Sequence, residues 1–193
     1  MIKALSRTSV DLKTTEVISS LLQILNTKKA RYNDKVETLE KEYARLIGVK
    51  EAVAFPYSRT GTYYALMALE LQEGDEVIMP AFTFWVDAAM VVMAGLKPVF
   101  VDVNFETQSI DTALIENAIT PRTKVIYPTH LNGLPADMDQ IMKIAKKHDL
   151  RVMEDCARSC GATYNDKRIG SFDIGSFSFG YGKSFYGFGG AMV

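Results

Sequence analysis

Apolar residues recur at helical spacing twice before any strand pattern begins. Within KTTEVISSLLQILN (13–26), Val17, Ile18, Leu21, Leu22 and Leu25 share one helical face. A second stripe, Val36, Leu39, Tyr43, Leu46 and Ile47, predicts a helix over 34–47, with Gly48 as its stop. EAVAF (51–55) reads as a short strand, PYSRTGT as a loop, and YYALMALELQ (63–72) as a helix ending at Glu73-Gly74-Asp75. From there the pattern is regular. Strands at 76–80, 98–103, 124–128 and 151–155 alternate with helices at 83–95, 112–119 and 136–149. The strands are short, β-branched and almost continuously apolar, which suits parallel strands buried on both faces. Alternation of this kind predicts an α/β sandwich of three layers, with a mostly parallel sheet and right-handed crossovers.

In such sheets ligands bind outside the carboxyl ends of the strands. Ser58-Arg59-Thr60-Gly61-Thr62 follows the first strand, Thr83 and Phe84 the second, and Thr129-His130 the strand at 124–128, while Asp155 ends the next. All fall at one edge and can converge. Beyond them lies SFDIGSFSFGYGKSFYGFGGAMV (171–193), where six glycines and five phenylalanines surround Lys183. A lysine among small and aromatic residues can lose its charge by desolvation and act as a nucleophile; it can equally be a solvated lysine in a glycine-rich turn. The final GGAMV reads as the start of a strand.

Composition narrows the field. The chain has 193 residues, 48% of them hydrophobic and 23% charged, enough for one large domain with a full core. A net charge of −1 offers no electrostatic case for nucleic acid or an anionic membrane surface. No apolar run approaches the roughly 18 residues of a membrane span, and the opening MIKALSRTSVDLKTTEV does not read as a signal peptide. Two cysteines, Cys156 and Cys160, and two histidines make neither a disulfide framework nor a zinc site, so a reducing, cytoplasmic setting is expected. No metal is expected.

Each polar candidate has two readings. Thr60-Gly61-Thr62 at a helix start could hold a phosphate, or simply cap the helix. Asp155 could pair with a protonated heterocyclic nitrogen or a metal, or serve as a strand-end acid in a salt bridge. Phe84 could stack on a flat ring or pack in the core. His130 could be a general base, although no carboxylate pairs with it in sequence and a structural role is the expectation. Ser178 could contact phosphate or bond to backbone. A lysine for covalent attachment, an aspartate for a pyridinium nitrogen, a phosphate cup and a stacking aromatic together match what pyridoxal phosphate requires. No G-x-G-x-x-G follows a strand, against a dinucleotide fold.

GDEVIMPAFTF, GLKPVFVDV, AITPRTKVIYPTHLNGLPADMD, EDCARSCGATY and IGSFSFGYGKS closely resemble the DegT/DnrJ/StrS family of sugar aminotransferases, which are fold-type I pyridoxal phosphate enzymes. The similarity runs from about Val36 to the last residue. The resemblance implies that Lys183 is the catalytic lysine that binds the cofactor covalently, and that Asp155 is the partner of its pyridine nitrogen. It likewise implies Gly61 and Thr62 as the phosphate-binding turn, Ser178 as a phosphate contact, Phe84 as the stacking aromatic and Arg158 as a cofactor contact. The implied substrates are an amino acid, usually glutamate, and a nucleotide-linked keto-sugar; the implied assembly is a homodimer. The related sugar dehydratases carry histidine at the lysine position.

Several residues depart from the family pattern. Arg158 replaces a glutamine, Asp87 a small hydroxyl residue, Tyr63-Tyr64 smaller residues, Tyr181-Gly182 the residues common before the lysine, and Phe188 an acid. The resemblance also implies a domain plan. Residues 1–33 would be an N-terminal helical segment and 34–193 a partial cofactor-binding large domain, its sheet incomplete at the C-terminus. The family's small domain would lie beyond Val193. An inactive remnant or interaction module is the alternative that this plan leaves open.

Overall fold

A computed structural model describes residues 34–187 and 189–193, together with Thr15 and Ile18. The helix expected over 13–26 and the Phe188 departure therefore lie outside the described residues, although Thr15 and Ile18 are both helical. Helix α1 (Asp34–Ile47) ends where expected: Gly48 takes φ +86°, which glycine adopts without the Cβ penalty, and its N–H bonds to the Ala44 carbonyl at 2.8 Å. Its stripe is narrower than the periodicity suggests. Tyr43, Ala44 and Ile47 are buried, whereas Val36, Leu39 and Leu46 are exposed.

The remaining elements are β1 (Ala54–Phe55), α2 (Ser58–Ala68), β2 (Glu76–Pro80), α3 (Trp85–Met93), β3 (Lys97–Val101), α4 (Thr112–Ala118), β4 (Thr123–Ile126) and α5 (Met138–His148). They continue through β5 (Arg151–Asp155), the hairpin of β6 (Thr163–Tyr164) and β7 (Lys167–Arg168), β8 (Ile174–Ser178) and β9 (Ala191–Met192). Two differences from expectation matter. The strand at 51–55 shrinks to two residues. Helix α2 begins at Ser58 rather than at 63, absorbing most of the anticipated loop.

Seven strands form one sheet in the order β1-β9-β8-β5-β4-β2-β3. β8, β5, β4, β2 and β3 run parallel, and β9 pairs antiparallel with both β8 and β1. The glycine-rich stretch thus contributes two strands to the sheet. β3 is an edge strand, with Lys97 and Phe100 exposed, so burial on both faces does not extend to it.

Alternation along the central strands divides the core into layers. Ile78, Ile126 and Val152 point to the face covered by α4 and α5, packing with Ile115, Met138, Ile141 and Ile144. Their neighbours Val77, Met79, Val125 and Met153 point to the opposite face, against Leu66 of α2 and Val91 of α3. A third cluster joins Tyr43 and Ile47 of α1 to Phe177, Phe179 and Met192. Each fully buried aliphatic side chain stabilises the fold by about 1.5–3 kcal/mol. The helices over the first face start with aspartate caps: Asp111 accepts the Ala113 N–H, and Asp137 the Gln140 N–H. By contrast α2 and α3 start at Tyr57 and Phe84 with no side-chain cap.

Candidate active site

The carboxyl edge of the sheet opens into a cavity of about 530 Å³. Its walls include Asp155 at the end of β5, Ser178 at the end of β8, and Lys183 in the loop beyond. Thr83, Phe84 and Asp87 line it from the start of α3, Thr129 and Asn132 from the segment after β4, and Ala157 and Arg158 from the turn after β5. Of the residues expected to converge at this edge, Ser58, Arg59, Thr83, Phe84, Thr129 and Asp155 line the cavity. Parallel strands deliver their carboxyl ends to one place whatever their distance in sequence.

Asp155 is held on several sides. Its N–H bonds to the Pro128 carbonyl at 2.9 Å, its carbonyl accepts the His130 N–H at 3.0 Å, and its Oδ1 accepts the Ala157 N–H at 2.9 Å. Burial raises its carboxyl above the usual range, while the Ala157 bond and the charges of Lys183 and Arg158 oppose that rise. Lys183 is lowered from the usual amine range by burial first, opposed by the Asp155 charge and assisted by Arg158. A partly desolvated amine facing a carboxylate is poised to act as a nucleophile. Phe84 is 55% exposed and borders the cavity rather than the core, so it is free to stack on a flat ligand.

Gly61 and Thr62 are not in the cavity. Because α2 begins at Ser58, both lie beyond its first turn: the Gly61 N–H is bonded to the Tyr57 carbonyl at 3.1 Å. A Cβ on Gly61 would stand 2.5 Å from Val193 Cγ2 and 3.1 Å from Phe55, so this glycine permits close packing instead. Thr62 is fully buried, its hydroxyl between Tyr127 and Ser176 at 3.2 Å each. The residues that line the cavity are Tyr57, Ser58 and Arg59, at the uncapped start of the same helix. First-turn N–H groups there and the Ser178 hydroxyl on the same wall are hydrogen-bond donors of the kind that can hold an anion. The spacing Thr62, Leu66, Leu69, carried back one turn to Ser58, contains this start.

His130 is fully buried and has a carboxylate partner that sequence proximity concealed. Its Nε2 stands 3.0 Å from Glu154 Oε2, and its Nδ1 accepts the Ala136 N–H at 3.0 Å. An accepting Nδ1 places the proton on Nε2, as a donor to Glu154. Glu154 also accepts the Gly170 and Phe172 N–H groups at 2.7 and 2.9 Å. His130, Glu154 and Cys156 cluster closely enough to suggest a metal site, but both imidazole nitrogens and both carboxylate oxygens are engaged within the protein. The group is a structural clamp behind Asp155, as expected for His130. Cys156 and Cys160 are free thiols; the first is fully buried and the second meets the Tyr43 hydroxyl at 3.3 Å.

A three-layer α/β domain that presents a lysine and a buried aspartate to one cavity, with an uncapped helix start on its wall, has the aspartate-aminotransferase-like, fold-type I architecture of its solved structural neighbours. Within that class the assignment is specific. The chain belongs to the DegT/DnrJ/EryC1/StrS aminotransferase family, whose model matches residues 11–193. A UDP-N-acetyl-3-dehydro-alpha-D-glucosamine 3-aminotransferase of Acidithiobacillus ferrooxidans is 47% identical over 165 residues, covering 85% of this chain and 45% of that protein. GDP-perosamine synthase of Caulobacter vibrioides is 45% identical over 141 residues, covering 72% and 38%. Among solved structures, an aminotransferase from Psychrobacter cryohalolentis superposes with a TM-score of 0.88 at 34% identity, covering 97% of this chain and 48% of its own. The E. coli GDP-4-keto-6-deoxy-D-mannose-3-dehydratase, solved with bound hydrated pyridoxal phosphate, gives 0.87 at 29% identity, covering 100% and 51%. The chain spans less than half the length of the two curated relatives. Among the described residues no helix is long and apolar enough to cross a membrane.

Proposed function

We propose that this chain forms the cofactor-binding domain of a pyridoxal phosphate-dependent aminotransferase that moves an amino group from an amino acid, glutamate in the first instance, to a nucleotide-linked keto-sugar. The observation that carries the reading is the meeting of Lys183 and Asp155 in one cavity beside the uncapped start of α2. The donor set fits pyridoxal phosphate. Ser58 and Arg59 backbone groups with Ser178 would take the phosphate, Phe84 would cover the ring, and Arg158 would supply a cation beside it. The Asp155 carboxylate would hold the ring nitrogen protonated, and Lys183 would bind the cofactor covalently. When bound, that cofactor supplies an electron sink for cleavage at the carbon bearing the amino group.

Lys183 has two tasks in this scheme. Partial burial keeps a larger fraction of its amine unprotonated near neutral pH than a solvated lysine has, which favours covalent capture. With the cofactor bound and Lys183 released from it, the Nζ would be the base placed to hold the proton taken from the donor carbon. The segment 34–193 would be the large domain, with 1–33 as a helical extension and a small domain contributed by further chain. A homodimer follows from the family reading, and the exposed Trp85, Val92 and Met93 of α3 offer an apolar face suited to a second copy. The free thiols agree with a cytoplasmic setting.

The dehydratase reading shares this fold, but Lys183 stands where those enzymes are expected to carry histidine. One experiment separates the alternatives. The protein is incubated with pyridoxal phosphate and followed by visible absorbance, before and after adding glutamate, alongside Lys183→Ala. We expect a new visible band, its loss with glutamate, and no band in the variant. A protein that forms no band would favour an inactive remnant or interaction module, and a band indifferent to glutamate and to other amino acids would refute transamination.

A further inference from the structure

We infer that Asp87 is a positioning residue for Asp155: it holds a proton shared between the two carboxyl groups, at the end of a one-way hydrogen-bond chain that begins at Ser176. Four separate elements meet to build this chain. Ser176 is in β8, Thr62 in α2, Tyr127 directly after β4, and Asp87 in the first turn of α3. Thr62 Oγ1 lies 3.2 Å from both Ser176 Oγ and Tyr127 Oη, and Tyr127 Oη lies 3.2 Å from Asp87 Oδ1. All four side chains are buried.

Counting protons sets its direction. Tyr127 has a single hydroxyl proton and donates it to Asp87. Its oxygen must then accept from Thr62, and the Thr62 oxygen from Ser176. Every donor in the chain therefore points toward Asp87, which lines the same cavity as Asp155. Two buried carboxyl groups facing one cavity each disfavour the other's ionisation.

The surroundings decide which one keeps the proton. Asp155 receives the Ala157 N–H and stands near the cations Lys183 and Arg158. Asp87 receives one neutral hydroxyl, with the Lys183 charge a lesser influence. Burial and the Asp155 charge push the Asp87 carboxyl well above the usual range. Asp87 is thus the neutral member, and its O–H steadies Asp155 as the charged one. The consequence for catalysis rests on the pyridoxal phosphate reading: the negative charge is kept on the carboxylate that faces the ring nitrogen. The proton itself does not depend on that reading.

The test uses cofactor-free protein labelled with carbon-13 at the aspartate side-chain carboxyl carbons and titrated by NMR. Asp87→Asn and Asp155→Asn assign the signals, and Asp87→Ser, which restores a small hydroxyl, serves if Asp87→Asn misfolds. We expect one carboxyl to stay protonated above the ordinary aspartate range and to vanish in Asp87→Asn. Its midpoint should fall in Asp155→Asn, which removes the like charge, and rise in Tyr127→Phe, which removes a donor to the ionised form. Ordinary titration of Asp87, or a midpoint indifferent to both neighbours, overturns the inference. Loading the same samples with pyridoxal phosphate separates the two readings. No binding with the shared proton intact sinks the cofactor reading alone, and normal binding with ordinary titration sinks only the carboxyl pair.

Discussion

Glu154→Gln should unfold at a clearly lower denaturant concentration than wild type, although Glu154 lines no part of the cavity. The carboxylate is fully buried and accepts three N–H groups, from His130, Gly170 and Phe172. The first two share Oε2, and the third uses Oε1. In glutamine, the best placement keeps the oxygen toward His130 and Gly170. The amide nitrogen then faces the Phe172 N–H, donor against donor. A buried donor left unsatisfied costs about 1–3 kcal/mol, and the two retained bonds lose their charge assistance at up to about 1 kcal/mol each. A loss of about 1–5 kcal/mol follows, set against the roughly 5–15 kcal/mol that holds a domain folded. Urea unfolding followed by far-UV circular dichroism measures it, the shift in midpoint being the loss divided by the slope. The rationale is specific: Glu154 and His130 brace the backbone on which Asp155 and Thr129 sit. A variant with an unchanged unfolding midpoint would show that the clamp is not holding that backbone.

Two further outcomes follow from the same geometry. Gly61→Ala places a methyl against Val193 and Phe55; overpacking of about 1–3 kcal/mol, partly offset by a helix-propensity gain of about 1 kcal/mol, gives a net loss of up to about 2 kcal/mol with pyridoxal phosphate affinity unchanged. Weaker cofactor binding at undiminished stability would return Gly61 to the phosphate cup. At Glu76, hydrogen bonds from Thr120 first and Lys97 next hold the carboxyl below its usual value of 4.5. A carboxyl depressed on folding stabilises the protein above the unfolded value, and that contribution is lost as pH falls through the folded one. Glu76→Gln should therefore be less stable at neutral pH by about 1 kcal/mol, the Lys97 partner being exposed and screened, and the gap should close below pH 4.5. A gap that persists in acid would mean that the charge is not the cause.

The alternation of short apolar strands with amphipathic helices was enough to place β2, β3, β4 and β5 and, through them, the edge at which Phe84 and Asp155 lie, but not β8, which brings Ser178 there. Period and polarity are properties of contiguous residues, so they survive reading one residue after another. What failed was whatever depended on where a helix begins without a cap. Ser58 and Arg59 lack an Asx or Ser/Thr residue before them, and the glycine and threonine that looked like a phosphate turn proved to be the helix's packed interior. Only the folded chain could pair His130 with Glu154 across 24 residues, or bring Asp87, Tyr127, Thr62 and Ser176 into one file of hydrogen bonds. Those partners are chosen by strand order and by which face each strand turns to its neighbours. Burial then makes each choice energetically decisive, because a polar group removed from water must find its partner inside the protein.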